Sequence, residues 1–347
     1  MMFQSDIAVC RALLRGGSRT FFAASLVLPK KVSGPAIALY AFCRLADDAV
    51  DLGTNRKAAV VRMRERLDLA LRGCPAPMPA DRAFAEVISR YAIPRELPEA
   101  LLEGLAWDAQ SRQYETLSEL LDYAARVAGT VGAMMSLVMG ARAPEIVARA
   151  CDLGVAMQLT NIARDVGEDA RAGRLYLPLQ WLREAEIDPD QWMANPEFSP
   201  AIAAIVQRLL DTADALYDRA THGIKSLPTS CRLGIFAARA LYAEIGREVE
   251  RQRLDSVSRR AVVSTQRKLS VLARMAALLD VEWTPARRLS FNIGELRETK
   301  FLIDAVRMTP ASHPPRPHSI EDRLVWVIDL FERLERRDQL QRSRFVS

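Results

Sequence analysis

The chain has 347 residues, 50% of them hydrophobic and 26% charged, a composition that excludes a disordered or collagen-like protein. Its 48 Lys and Arg against 43 Asp and Glu give a net charge of +5 and an isoelectric point near 9.1, a mild excess compatible with polyanionic ligands, an anionic membrane surface or plain solvated charge. No basic block interleaved with aromatics occurs, so nucleic acid is not an expected partner.

At the N-terminus, MMFQSDIAVCRALLRGG lacks the long uncharged core and small-residue cleavage site of a signal peptide. Helical periodicity then dominates, and it predicts helices over 5–16, 35–51, 56–72, 81–92, 98–110, 117–140, 144–166, 199–223, 232–254, 260–279 and 321–340. Breaks fall at GCPAPMPA (73–80), IPRELP (93–98), around Pro178 and Pro189, and at SLPTS (226–230). The uncharged apolar run Val127 to Ala141 is shorter than the ~18 residues of a spanning helix, so no transmembrane segment is expected. A Pro-rich connector (309–319) precedes an amphipathic last segment, read as a helix packed on the bundle or as a membrane or partner contact. The reading divides the chain into a helical domain over 1–285 and a C-terminal extension over 286–347. The five cysteines form no CxxC pair and the three histidines have no zinc spacing, which fits free thiols in a reducing compartment.

Two acidic clusters end apolar helices. In YAFCRLADDAVD (40–51), Asp47 and Asp51 are one helical turn apart with Asp48 beside them. In QLTNIARDVGEDARAGRLYLP (158–178), Gln158, Asn161, Asp165 and Asp169 share one stripe. Buried carboxylates must be protonated, paired or bound to a cation. An all-oxygen donor set points to Mg2+ or Mn2+ rather than zinc. Two such faces could hold a diphosphate between them through bridging cations, with Arg44, Arg164, Arg171 and Arg174 neutralising phosphate oxygens. Each cluster alone also reads as solvated acids in local ion pairs, Arg44 with Asp48 and Arg164 with Glu168.

At these residues the chain resembles the phytoene synthase and squalene synthase family of head-to-head prenyl transferases. The likeness is carried by SRTFFAASLVLP (18–29), YAFCRLADDAVD, WDAQSRQYETL (107–117), VAGTVGAMM (127–135), QLTNIARDVGEDARAGRLYLP and a late YAEIGREVE…SRRAVVST segment (242–265), over roughly residues 5 to 280. The resemblance implies an all-α fold, a single orthogonal bundle around a central cavity. It implies metal ligands at Asp47, Asp51, Asn161, Asp165 and Asp169, with Asp48 and Glu168 as supporting acids. Substrate contacts would come from Ser18, Thr20, Tyr40, Arg44, Tyr114, Gln158, Arg164, Arg171, Arg174, Tyr242 and Arg260 or its neighbour Arg259. One departure is that Gln113 precedes Tyr114 where the family usually has Arg; the nearby arginine is Arg112, turned by about 100° on a helix.

The implied reaction joins two geranylgeranyl diphosphates through prephytoene diphosphate to phytoene, with Mg2+ or Mn2+ and no NADPH. The rival within the fold is a squalene, hydroxysqualene or dehydrosqualene synthase acting on C15 diphosphates; outside it stands a non-catalytic scaffold relative. Tyr40, Tyr114 and Tyr242 are candidates for facing passing cations, or for core packing. Ala128, Gly129, Gly132 and Ala133 either leave room for prenyl chains or let helices pack closely. A lipophilic substrate implies a cytoplasmic protein with peripheral contact at the inner face of the membrane.

Overall fold

The computed structural model describes residues 2–17, 28–51, 55–282 and 294–309, and among these no strand occurs. The helices are α1 (Met2–Gly17), α2 (Lys30–Asp51), α3 (Arg56–Leu71), α4 (Pro79–Tyr91), α5 (Glu96–Ala109), α6 (Leu117–Ala124), α7 (Thr130–Val138), α8 (Pro144–Arg171), α9 (Leu179–Glu184), α10 (Pro189–Ala194), α11 (Pro200–Ser226), α12 (Thr229–Arg251), α13 (Thr265–Glu282) and α14 (Lys300–Met308). The all-α expectation therefore holds. The predicted helix over 321–340 and the motif residues Ser18 and Thr20 lie outside the described residues.

Several boundaries differ from the periodicity reading for identifiable reasons. α2 begins at Lys30, so Pro35 sits inside it. Proline has no N–H for the carbonyl of residue 31. The Tyr91 hydroxyl donates to the Lys31 carbonyl instead, at 3.2 Å. The segment predicted as one helix over 117–140 is interrupted by a π-helical turn, Ala125–Gly129, between α6 and α7. Such insertions recur at functional sites.

α8 is the central helix, with α11, α7, α12 and the π turn packed on it. Pro144 opens it and Gly173, at φ +76°, ends it. The Arg174 N–H reaches the Asp169 carbonyl and the Gly173 N–H the Ala170 carbonyl, a Schellman turn that folds the chain back over the helix end. Small residues settle how close α7 and the π turn come to α8. A Cβ at Gly132 would stand 2.1 Å from the Ala150 carbonyl oxygen, and one at Gly154 2.2 Å from that of Ala128. These glycines thus permit backbone-to-backbone packing, while Ala128 and Gly132 also border the central cavity.

Residues 294–309, past the domain limit drawn from the sequence at 285, pack on the bundle. Arg149 and Arg219 both donate to the Gly294 carbonyl, at 3.1 and 2.8 Å, and both pair with the buried Asp152. Leu302 and Ile303 of α14 are fully buried. Nine residues are too few for periodicity to announce this helix. Cys10, Cys151 and Cys231 are buried free thiols, Cys43 is half-buried and Cys74 exposed.

Candidate active site

An apolar cavity of about 270 Å3 lies inside the bundle. On α8 its wall is the stripe Ile146, Ala150, Leu153, Met157 and Asn161. At about 1.5 Å per residue the stripe is ~22 Å long. Its polar end carries Gln158, Asn161, Tyr40 and Tyr242; Cys43 and Met135 are among the apolar lining. Two of the three candidate tyrosines therefore face the cavity. Burial pushes the Tyr40 phenol up to about 12, so it stays a neutral donor and ring.

The acidic clusters meet beside that polar end. Arg174, placed by the Schellman turn, donates from Nη1 to Asp51 at 2.9 Å and from Nη2 to Asp169 at 3.2 Å. The end of α2 and the end of α8 thus stand within the breadth of one guanidinium. Arg44 pairs with both Asp47 (3.1 Å) and Asp48 (2.6 Å). Arg164 pairs with Asp165 at 2.5 Å rather than with Glu168. Arg260 reaches Asp165 (2.9 Å) and Glu168 (3.3 Å) from the segment after α12. Arg259, its alternative, donates instead to the Gln252 carbonyl.

Arg260 is held there by backbone contact. A Cβ at Gly167 would stand 2.0 Å from the Val257 carbonyl oxygen. The Gly167 N–H donates to Ser256 O at 3.0 Å, and Arg171 donates to Val257 O at 2.8 Å. Arg171 is thereby engaged with the loop, not turned to the acids.

Burial, with the neighbouring Asp51 charge, lifts the Asp47 carboxyl to about 6; burial likewise lifts Asp169 to about 7, against the pull of Arg174. Both acids are short of positive charge even with their arginines in place. Among the described residues no three acids lie close enough to chelate one ion unaided. A hard cation such as Mg2+ keeps waters and takes few carboxylates plus phosphate oxygens. Asp47, Asp51, Asn161, Asp165 and Asp169 offer the all-oxygen donor set such a cation requires.

Tyr114 stands apart from the other candidate tyrosines. It is fully buried in an aromatic cluster, with ring centroids 5.2 Å from Tyr123 and 6.2 Å from Tyr176. Arg112 lies at the edge of this cluster, 3.9 Å over the Trp107 ring and 5.8 Å over that of Tyr114. Asp108, beside this cluster, is not among the candidates read from the sequence. Asp108 accepts from Tyr176 Oη (2.7 Å) and Tyr123 Oη (2.9 Å), and burial lifts its carboxyl to about 7 despite those bonds. It is the acid nearest the C-terminal end of α5, on the buried side of that helix.

The Squalene/phytoene synthase family model matches residues 14–268. The chain belongs to the squalene/phytoene synthase family. It is 45% identical to the phytoene synthase of Cereibacter sphaeroides over 352 aligned residues, covering 99% of this chain and 98% of that one. It is 53% identical to the phytoene synthase of Rhodobacter capsulatus over 279, covering 80% and 82%. Among solved structures, a ligand-bound dehydrosqualene synthase superposes with a TM-score of 0.72 at 29% identity, covering 80% of this chain and 98% of that one. Membership implies a metal-dependent enzyme acting on diphosphates.

Proposed function

We propose that the chain is a phytoene synthase that condenses two geranylgeranyl diphosphates head to head, by way of prephytoene diphosphate. The observation that carries the reading is the pair of acidic helix ends, spanned by Arg174, at the polar end of a long apolar cavity. The identity of 45–53% to bacterial phytoene synthases supports the C20 substrate over a C15 one.

Asp47, Asp51, Asn161, Asp165 and Asp169 would hold Mg2+ or Mn2+, which when bound supplies Lewis-acid stabilisation of the departing diphosphate. Arg44, Arg164, Arg174 and Arg260, now on the carboxylates, are positioned to share the phosphate oxygens as donors. Charge developing on the leaving group is thus met by donors fixed beforehand. The allylic cation left behind must meet no water. The apolar wall from Ile146 to Met157 excludes it, and the Tyr40 and Tyr242 rings face the cavity near the polar end, where they can stabilise positive charge. Phytoene formation requires no hydride, so NADPH is not required.

The test is product analysis of purified protein given labelled C15 or C20 allylic diphosphate with Mg2+. Phytoene from the C20 substrate with higher kcat/KM than any C15 product is the expected result. A clear C15 preference, or a reduced hydrocarbon formed only with NADPH, would transfer the assignment to a squalene-type synthase.

A further inference from the structure

Arg174 sits on the connection 172–178 between α8 and α9, which must be held where the guanidinium spans Asp51 and Asp169. The Schellman turn fixes only its first residues. Beyond Arg174 the chain is buried from Leu175 to Pro178. Its far end is bonded to the loop after α5: the Leu179 N–H donates to Tyr114 O at 2.9 Å and the Gln180 N–H to Glu115 O at 3.0 Å. Between these ends the polar anchor is Tyr176, whose Oη donates to Asp108 Oδ1 at 2.7 Å. Asp108 belongs to α5, a helix that carries no member of either acidic cluster. Tyr123, on α6, donates to the other Asp108 oxygen at 2.9 Å, and its ring stacks on that of Tyr176 with centroids 5.2 Å apart. The carboxyl is thus fixed on both oxygens, and Tyr176 by ring and hydroxyl together.

Both partners of the Tyr176–Asp108 bond are buried, so water cannot replace it and leaving it unmade is costly. The bond also stands near the charges it would govern: Arg174 and Asp108 act on each other electrostatically, and Asp169 feels Asp108 in turn. Arg174 itself is incompletely held by its own hydrogen bonds. Its two Nη atoms reach the acids, while its buried Nε has no acceptor among the described residues. The guanidinium therefore depends on the connection beneath it for its place. We propose that Tyr176 and Asp108 are positioning residues for Arg174: their bond sets where the guanidinium stands between Asp51 and Asp169, and so the spacing at which the two acidic helix ends share a diphosphate. The inference rests on the site being one for prenyl diphosphates. Neither residue borders the cavity, so both act through Arg174 and not on the prenyl chain.

The test is a double-mutant cycle read by calorimetry of Mg2+ with inorganic diphosphate. Tyr176→Phe keeps the ring and removes the bond, and it should bind the pair about tenfold more weakly than the wild type, the loss of one well-placed donor to a charged group. In an Arg174→Gln background the same change should alter the affinity by less than about threefold, since a residue that acts through Arg174 has nothing left to position. Free diphosphate carries the charge that the leaving group acquires. Turnover of the C20 substrate by Tyr176→Phe should accordingly lose about ten- to a hundredfold in kcat while KM stays within about threefold. Asp108→Leu breaks the same bond from the other side and should show the same pattern. Asp108→Asn keeps a hydrogen-bonding partner for Tyr176 and should bind the pair as the wild type does. Wild-type affinity in Tyr176→Phe, an equal loss with and without Arg174, or an Asp108→Asn as weak as Asp108→Leu would each overturn the proposal, as would a wild type that binds no diphosphate. This pattern of binding in a protein that forms no phytoene would leave the positioning role standing and remove the substrate reading instead.

Discussion

Arg174 and Asp51 are 123 residues apart in the chain and 2.9 Å apart in space, and the same guanidinium reaches Asp169 at 3.2 Å. One side chain therefore keeps two acidic helix ends from repelling each other in the metal-free protein. Arg174→Gln should lower the metal-free melting temperature by the equivalent of about 1–3 kcal/mol, an ion pair of half-buried groups being worth less than a buried one. Turnover should fall by orders of magnitude. Thermal melts with and without Mg2+ and diphosphate, beside a product assay, check both; an unchanged metal-free melt would mean the acids are satisfied without this arginine.

Metal removal should abolish turnover, and Mg2+ or Mn2+ should restore it. Mg2+ together with inorganic diphosphate should raise the melting temperature of the wild type, because a ligand that binds only the folded state stabilises it. Asp169→Asn should lose most of that increment. Calorimetry of the two proteins with the ligand pair decides it, and a full increment in the variant would remove Asp169 from the cation site.

Stability should depend on pH through Asp108. Its carboxyl is lifted by burial from an ordinary value of 3.8 to about 7. The folded state thus holds a proton that the unfolded chain releases, so this group's contribution falls as pH rises from about 4 to about 7 and is lost above that. Asp108→Asn keeps a neutral acceptor for the two tyrosines. The variant should melt above the wild type at pH 8, with the gap closing toward pH 4. A constant gap across the range would mean that Asp108 is ionised in the folded protein throughout.

Gly167→Ala should act at a distance from any cavity residue. The added Cβ would stand 2.0 Å from main chain at Val257, which cannot rotate away as a side chain could. Displacing the loop should cost about 1–3 kcal/mol. It should also reduce turnover, since Arg260 leaves Asp165. Melting and product formation both at wild-type levels would show that the loop shifts without consequence for the site.

Chain-length selection should reside at the far end of the α8 stripe. Ile146 borders the cavity four helical turns from Asn161, and Ile146→Trp should shorten the space there. The expected result is a fall in kcat/KM of at least about tenfold for the C20 substrate with a smaller change for C15. Equal losses on both would place the chain terminus elsewhere.

The helices and both acidic motifs were legible in the sequence because they are local. Apolar spacing marks each buried face, and Asp47 with Asp51, or Asn161 with Asp165 and Asp169, share a stripe wherever the helix is put. The exceptions had local causes that periodicity does not register: the π turn at Ala125–Gly129, the tolerated Pro35, and the short α14.

Which partner each charged group takes was decided by the tertiary structure. Arg171 and Arg174 stand three residues apart beside the same acids; the turn at Gly173 sends Arg174 back to Asp51 and Asp169, and the Gly167 approach presents Val257 to Arg171. Tyr40, Tyr114 and Tyr242 are one residue type in similar apolar contexts, yet two line the cavity and Tyr114 packs against Tyr123 and Tyr176. Asp108 gained its two hydroxyl donors only when Tyr123 and Tyr176 arrived from 15 and 68 residues along the chain. Spacing along a helix states which side chains share a face. Burial and hydrogen bonding between distant segments depend on how those faces meet, and that is settled only when the whole core packs.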